Sequence, residues 1–250
     1  MEALKDLLFR MADDELIIGH RHAEWTGIGP ILEEDLAFSS MAQDKLGHAQ
    51  ALYGLLHKEY GTADPDNLAF LRNAADFRCC QLVEFPIGEY DFTLLRHYLF
   101  DIAEWCRYEM LLESSVPALA TFAHKIKGEL KYHVLHAETW MKTLGKGTEE
   151  SHARMQQALQ EVYPMALAIF EPGLEEQELI EAKIFGGEAA LQQRWEDRVK
   201  PFLTASGLQC PEVKDPARFA GGRRGFHTEY LQPLLTEMSE VIRSEPGASW

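Results

Sequence analysis

The sequence predicts an all-α protein: an antiparallel bundle of long helices with a shorter C-terminal helical extension, in a single domain spanning residues 1–250. Three observations predict it. Apolar residues recur at three- and four-residue spacing almost throughout, and no stretch alternates with period two beyond a few positions. No self-similarity occurs at the periods of roughly 33 to 47 residues that mark helical solenoids. A chain of 250 residues is also long enough to enclose one sizeable core.

The first helix carries Leu4, Leu8, Met11, Ile18 and Trp25 on one stripe, with Glu15 and His22 in the remaining places. A second is expected from about Ile31 to Tyr60, opened by Glu33, Glu34 and Asp35, whose charges favour a helix N-terminus. Met41, Lys45, His48, Leu52 and Leu55 form one of its faces. Gly61, Asp64 and Pro65 mark a loop, and residues 66–90 read as irregular. A third helix is expected from Asp91 to about Ser114. A fourth has Pro117 in its first turn, where the missing N–H does no harm, and ends at Gly145 and Gly147. A fifth covers about Glu149–Phe170 with a kink at Pro164. Shorter helices fit Glu175–Ile184 and Glu188–Ala205. Residues 206–226 read as loop, and a last helix starts near Thr228, its N-cap, and ends before Pro246.

Twenty-four basic residues face 40 acidic ones, a formal charge of −16. A surface that acidic repels phosphate backbones and anionic lipid, which argues against nucleic acid and membrane as partners. No run approaches the roughly 18 apolar residues of a membrane span. The opening MEALKDLLFRMADDE lacks a basic-then-apolar signal region, so a cytoplasmic location is expected. Cys79, Cys80, Cys106 and Cys210 include no C-x-x-C pair and read as plain thiols.

Four long helices raise the question of a metal pair. Carboxylate-bridged di-iron bundles take a Glu from each of two helices and a Glu-x-x-His from each of the other two. Here His48 and His133 stand where such ligands would stand, but the residue three before each is Lys45 and Leu130. A protonated lysine has no lone pair to give, and leucine has no donor at all. Asp44 with His48 and Glu129 with His133 are i, i+4 pairs, Asp101 and Glu104 lie midway along the third helix, and His136 follows His133 by three. These leave two readings: buried or partly buried ion pairs, or an improvised metal site on Asp44, His48, Asp101, Glu129 and His133. In the first, Lys45 replaces a lost cation and neutralises interior carboxylates such as Asp101.

No G-x-S-x-G elbow and no phosphate-binding glycine loop occurs. The segment Gly221–Glu229 (GGRRGFHTE) could grip a carboxylate or phosphate with Arg223 and Arg224, or anchor the C-terminal helix to acidic groups of this chain or a partner. Tyr98, Asp101, Trp105 and Tyr108 form a helical stripe that reads as core, or else as an interface or pocket wall. Trp250 is expected either loose or docked.

The segments RMADDELIIGHRHAEWTG, EEDLAFSSMAQDKLGHAQ, LVEFPIGEYDFTLLRHYLFD, KGELKYHVLHAETWMKTLG and GGRRGFHTEYLQPLLTEMSEVIR together span the chain. They resemble PaaC, the family of C subunits of phenylacetyl-CoA (ring 1,2-) epoxidases. The resemblance implies a ferritin-like bundle that is the inactive sister of the catalytic A subunit of the epoxidase, with which it pairs. That catalytic partner would carry the di-iron centre and bind phenylacetyl-CoA, and a flavin and iron–sulfur reductase would supply electrons. The resemblance implies no catalytic residue, no cofactor and no metal in this chain, with Lys45, His48, Leu130 and His133 as vestigial ligand positions. Homodimer contacts are a further expectation. Two alternatives stand beside it: a self-contained divergent di-metal oxidase, and a CoA-binding module using Arg223 and Arg224.

Overall fold

The computed structural model describes residues 1–245. Among them every regular element is helical, as the apolar spacing requires. The chain forms two compact units: Met1, Lys5–Pro86 and the segment from Gly221 onward make one, and Glu2–Leu4 with Ile87–Ala220 make the other.

The first unit is built on α1 (Glu2–Ala23) and α2 (Leu32–Tyr60). Leu8, Met11, Ile18 and Trp25 are buried, as the stripe predicts, whereas Leu4 is only half-buried, and Phe38, Leu52 and Leu56 face inward from α2. Gly61 ends α2 in the left-handed conformation (φ 64°), which a side chain would resist. The stretch expected to be irregular contains short helical pieces instead: α3 (Pro65–Phe70), a 3-10 turn at Ala74–Asp76 and α4 (Gln81–Glu84). Each is too short to show a helical period. Asp64 caps α3 by accepting from the Asn67 N–H at 3.0 Å, and Pro65 takes the first helical position.

The second unit comprises α5 (Tyr90–Leu111), α6 (Pro117–Gly145), α7 (Glu149–Ala166), α8 (Glu176–Glu181) and α9 (Glu188–Ala205). Most of α5 is buried, including Leu94, Tyr98, Leu99, Phe100 and Tyr108. Trp195 of α9 is fully buried; its indole N–H donates to the Leu99 carbonyl at 2.8 Å, and the Tyr163 and Phe170 rings pack on it. Thr148 caps α7 through the Ser151 N–H. Pro164 lies two residues before the end of that helix, which tightens into a 3-10 turn at Leu167–Phe170. Gly145 is the last residue of α6, and no side chain fits there because a Cβ would lie 2.4 Å from the Ser206 carbonyl oxygen.

The chain returns to the first unit with a 3-10 turn at Gly222–Arg224, α10 (Leu231–Met238) and α11 (Glu240–Ser244). The single closing helix expected from Thr228 is thus two, and the first starts three residues late. Trp250 lies outside the described residues. No helix among the described residues is long and apolar enough to cross a membrane.

Candidate functional site

In the first unit, Lys45 and His48 point inward from α2, 0% and 2% exposed. Their carboxylate comes from α1: Glu15 Oε2 lies 3.3 Å from Lys45 Nζ and 3.4 Å from His48 Nδ1. Gly19, one turn beyond Glu15, makes room for this, since a Cβ there would stand 3.1 Å from Lys45 Cβ. The cluster is therefore a carboxylate between an ammonium and an imidazole, sealed from water.

In the second unit, Asp101 and His133, two of the residues considered for an improvised metal site, come together with a third group that sequence reading missed. Asp101 Oδ2 lies 2.9 Å from His97 Nδ1, one turn earlier on α5, and 3.6 Å from His133 Nδ1 on α6. The His97 ring also lies near His133 and His136, with centroids 6.2 and 5.6 Å away. Burial pushes the His97 pKa below its ordinary value, against the opposing pull of Asp101. Glu104 is held by Arg107, which also reaches Glu188 at 2.7 Å in a buried charge trio. Leu130 is fully buried.

The carboxylates proposed from i, i+4 spacing stand differently. Asp44 and Glu129 are only half-buried, whereas His48 and His133 are enclosed and have Glu15 and Asp101 as partners from neighbouring helices. Lys45 likewise has its ion pair with Glu15, a residue that sequence reading placed on the apolar stripe without a role. An acid inside an apolar stripe was the signal available.

The arginine-glycine segment turns inward. Arg223 is 3% exposed; its guanidinium lies 2.8 Å from Asp14 Oδ2 and donates to the Arg78 carbonyl at 3.0 Å. Asp14 also accepts from the Cys80 N–H at 2.7 Å, and Asp13 from the Arg78 N–H at 2.6 Å. Next along, His227 Nδ1 is 2.7 Å from Glu84 Oε1, while Thr228 donates both its N–H and its hydroxyl to Glu84 Oε2. Thr228 thus gives both its protons to a carboxylate while its hydroxyl oxygen accepts from the Tyr230 N–H at 3.3 Å, and α10 starts only at Leu231. Glycine is required here: a Cβ on Gly222 would lie 2.2 Å from the Cys79 carbonyl oxygen. Arg223 is an internal anchor, and Arg224 is exposed.

On α5, Tyr98 and Tyr108 are core, but Trp105 is half-buried. Its N–H donates to Glu109, and Lys127 lies 4.9 Å from its ring centroid. With Tyr98, Lys131, Leu135 and Arg198 it lines a surface groove of about 400 Å³.

Known proteins resemble the chain over its whole length. The family model for phenylacetic acid catabolic proteins matches residues 1–250. The C subunit of the 1,2-phenylacetyl-CoA epoxidase of Escherichia coli (strain K12) is 33% identical over 250 residues, covering 100% of both chains.

Proposed function

The chain belongs to the phenylacetic acid catabolic protein family, and within it we propose a structural rather than a catalytic role. It is the non-catalytic, ferritin-like subunit of a multicomponent 1,2-phenylacetyl-CoA epoxidase. It pairs with the catalytic di-iron subunit of that enzyme and stabilises it, and meets the reductase only through the complex. It works in the cytoplasm, apart from nucleic acid and membranes.

One observation carries this: a fully buried ammonium, Lys45, paired with Glu15 and beside His48. The residues of this chain do not fit a di-iron pair. Four carboxylates and two imidazoles are needed, two of the carboxylates three residues before the histidines. Those two places hold a cation and an apolar side chain. A lysine ammonium supplies positive charge to Glu15 without offering a lone pair, so the carboxylate is neutralised with no metal involved. The half-burial of Asp44 and Glu129 disfavours the di-metal oxidase. Engagement of Arg223 by Asp14 removes half of the clamp a CoA-binding module would need.

The test is to purify the chain alone and with a co-expressed di-iron subunit. The chain alone is expected to hold no stoichiometric iron, and the pair to form a stable complex that turns over phenylacetyl-CoA when supplied with reductase and O₂. About two irons per isolated chain, as a di-iron bundle holds, would overturn the proposal.

A further inference from the structure

We infer that the outward face of α2, with the turn that precedes it, is the surface on which this chain receives a helix of a different subunit, one whose apolar face is rimmed by basic residues; this rests on the scaffold role proposed above.

The face is unusual for so acidic a chain. From Leu36 to Ala51 the exposed positions are Leu36, Ser40, Gln43, Gly47, Gln50 and Ala51, none of them charged. Their spacings of three and four residues place them on one stripe of the helix. A solvated helix face is normally rich in charge, and this one lies on a 29-residue helix, about 43 Å long at 1.5 Å per residue. At its N-terminal end the stripe meets large exposed aliphatics: Ile28 is 62% exposed, Ile31 44%, Leu32 68% and Leu36 63%. Contiguous exposed apolar surface of this kind marks a contact site.

The patch is also held ready. The Gly29 N–H donates to Asp35 Oδ1 at 2.6 Å, the Thr26 and Ser39 hydroxyls lie 2.8 Å apart, and the Ile28 N–H donates to the Trp25 carbonyl. These bonds fix the turn onto α2, so little ordering entropy is left to lose on binding. Midway along, a Cβ added at Gly47 would meet nothing within 4 Å, and the same holds at Gly54. Neither glycine serves packing within the chain. Both let an incoming backbone approach closely.

Charge decides the occupant. A second copy would bring another −16, and the apolar end of the face is flanked by exposed Glu33 and half-buried Asp35. Like charge opposes self-pairing, whereas a basic rim complements it.

The test uses Leu36→Arg and Gly47→Arg in the full chain, co-expressed with the di-iron subunit, with Gln193→Arg on the exposed face of α9 as control. Both positions are open to solvent, so helical circular dichroism and melting should be retained. Affinity for the di-iron subunit, read by co-purification and calorimetry, is expected to fall at least about 100-fold for both variants, as for a charge buried without a partner, and to be unchanged in the control. An intact complex in both variants would overturn the assignment while leaving the scaffold role standing. A wild-type homodimer that these variants dissociate would overturn it in favour of a second copy. Failure of wild-type chain to bind any di-iron subunit would remove the scaffold role and this inference with it.

Discussion

Lys45 Nζ lies 3.3 Å from Glu15 Oε2, with both side chains sealed from solvent. Such a pair is worth little net of desolvation, but breaking it strands a charge. Lys45→Met is therefore expected to cost roughly 3–5 kcal/mol, and the Glu15→Leu/Lys45→Met double variant to regain most of it. Urea unfolding of the two variants and wild type measures this. Equal destabilisation in the single and double variants would show that the pair does not act as a unit.

Two glycines should respond to alanine with opposite sign. Gly222→Ala drives a Cβ into the Cys79 carbonyl, and overpacking of that kind costs about 3 kcal/mol. Gly47→Ala meets open space in mid-helix and should stabilise the isolated chain by about 0.5–1 kcal/mol. Thermal melts of both variants decide it.

The thiols should be unequal. Burial holds the Cys79 and Cys80 pKa values well above their ordinary value and raises Cys106 to about 11; all three are buried and Cys210 is half-buried. Since the thiolate is the reactive form, an aromatic disulfide reagent at pH 8 should label Cys210 first in the native chain. The other three should react only on unfolding. Rapid labelling of Cys79 or Cys80 would contradict their burial.

Acid should destabilise the fold before the carboxylates titrate. Burial and the neighbouring Arg21 lower the His20 pKa to about 4. Below the unfolded value of about 6.5 the unfolded chain takes up a proton that the folded chain refuses, so stability falls as pH drops from there to about 4. His97, shifted in the same direction by burial, adds to the slope. His20→Gln should remove on the order of 2 kcal/mol of this loss. Unfolding curves at pH 7 and pH 4.5 test it, and an unchanged acid limb would exclude His20 as its source.

The elements legible in the sequence were those whose ends carry their own chemistry. Pro117 and Gly145 bound α6 as expected, and α9 runs from Glu188 to Ala205 as the apolar spacing indicated. Local rules failed where a distant group intervened. Thr228 has the chemistry of an N-cap, but Glu84 takes its hydroxyl and N–H. The same division holds in the clusters. His48 and His133 stand out by their spacing within one helix, whereas Glu15 and His97 acquire meaning only when a neighbouring helix supplies Lys45 and when Asp101 is seen to serve two imidazoles. The segments RMADDE, LVEFP and GGRRGFHTE, far apart in sequence, form one structure: Asp14 meets Arg223, and Glu84 meets His227 and Thr228.

That anchor has a consequence for synthesis. The second unit comes almost entirely from one unbroken stretch, Ile87–Ala220, whereas the first needs residues from both ends of the chain. On the ribosome the middle of the protein can therefore close while the beginning waits. Asp14 and Glu84, made early, receive Arg223 and His227 only after the whole stretch Ile87–Ala220 has been made. A transcript truncated before Gly221 would yield a first unit whose Asp14 never meets Arg223 and whose Glu84 never meets His227 and Thr228. Synthesis of the segment from Gly221 onward is thus the step that completes the first unit.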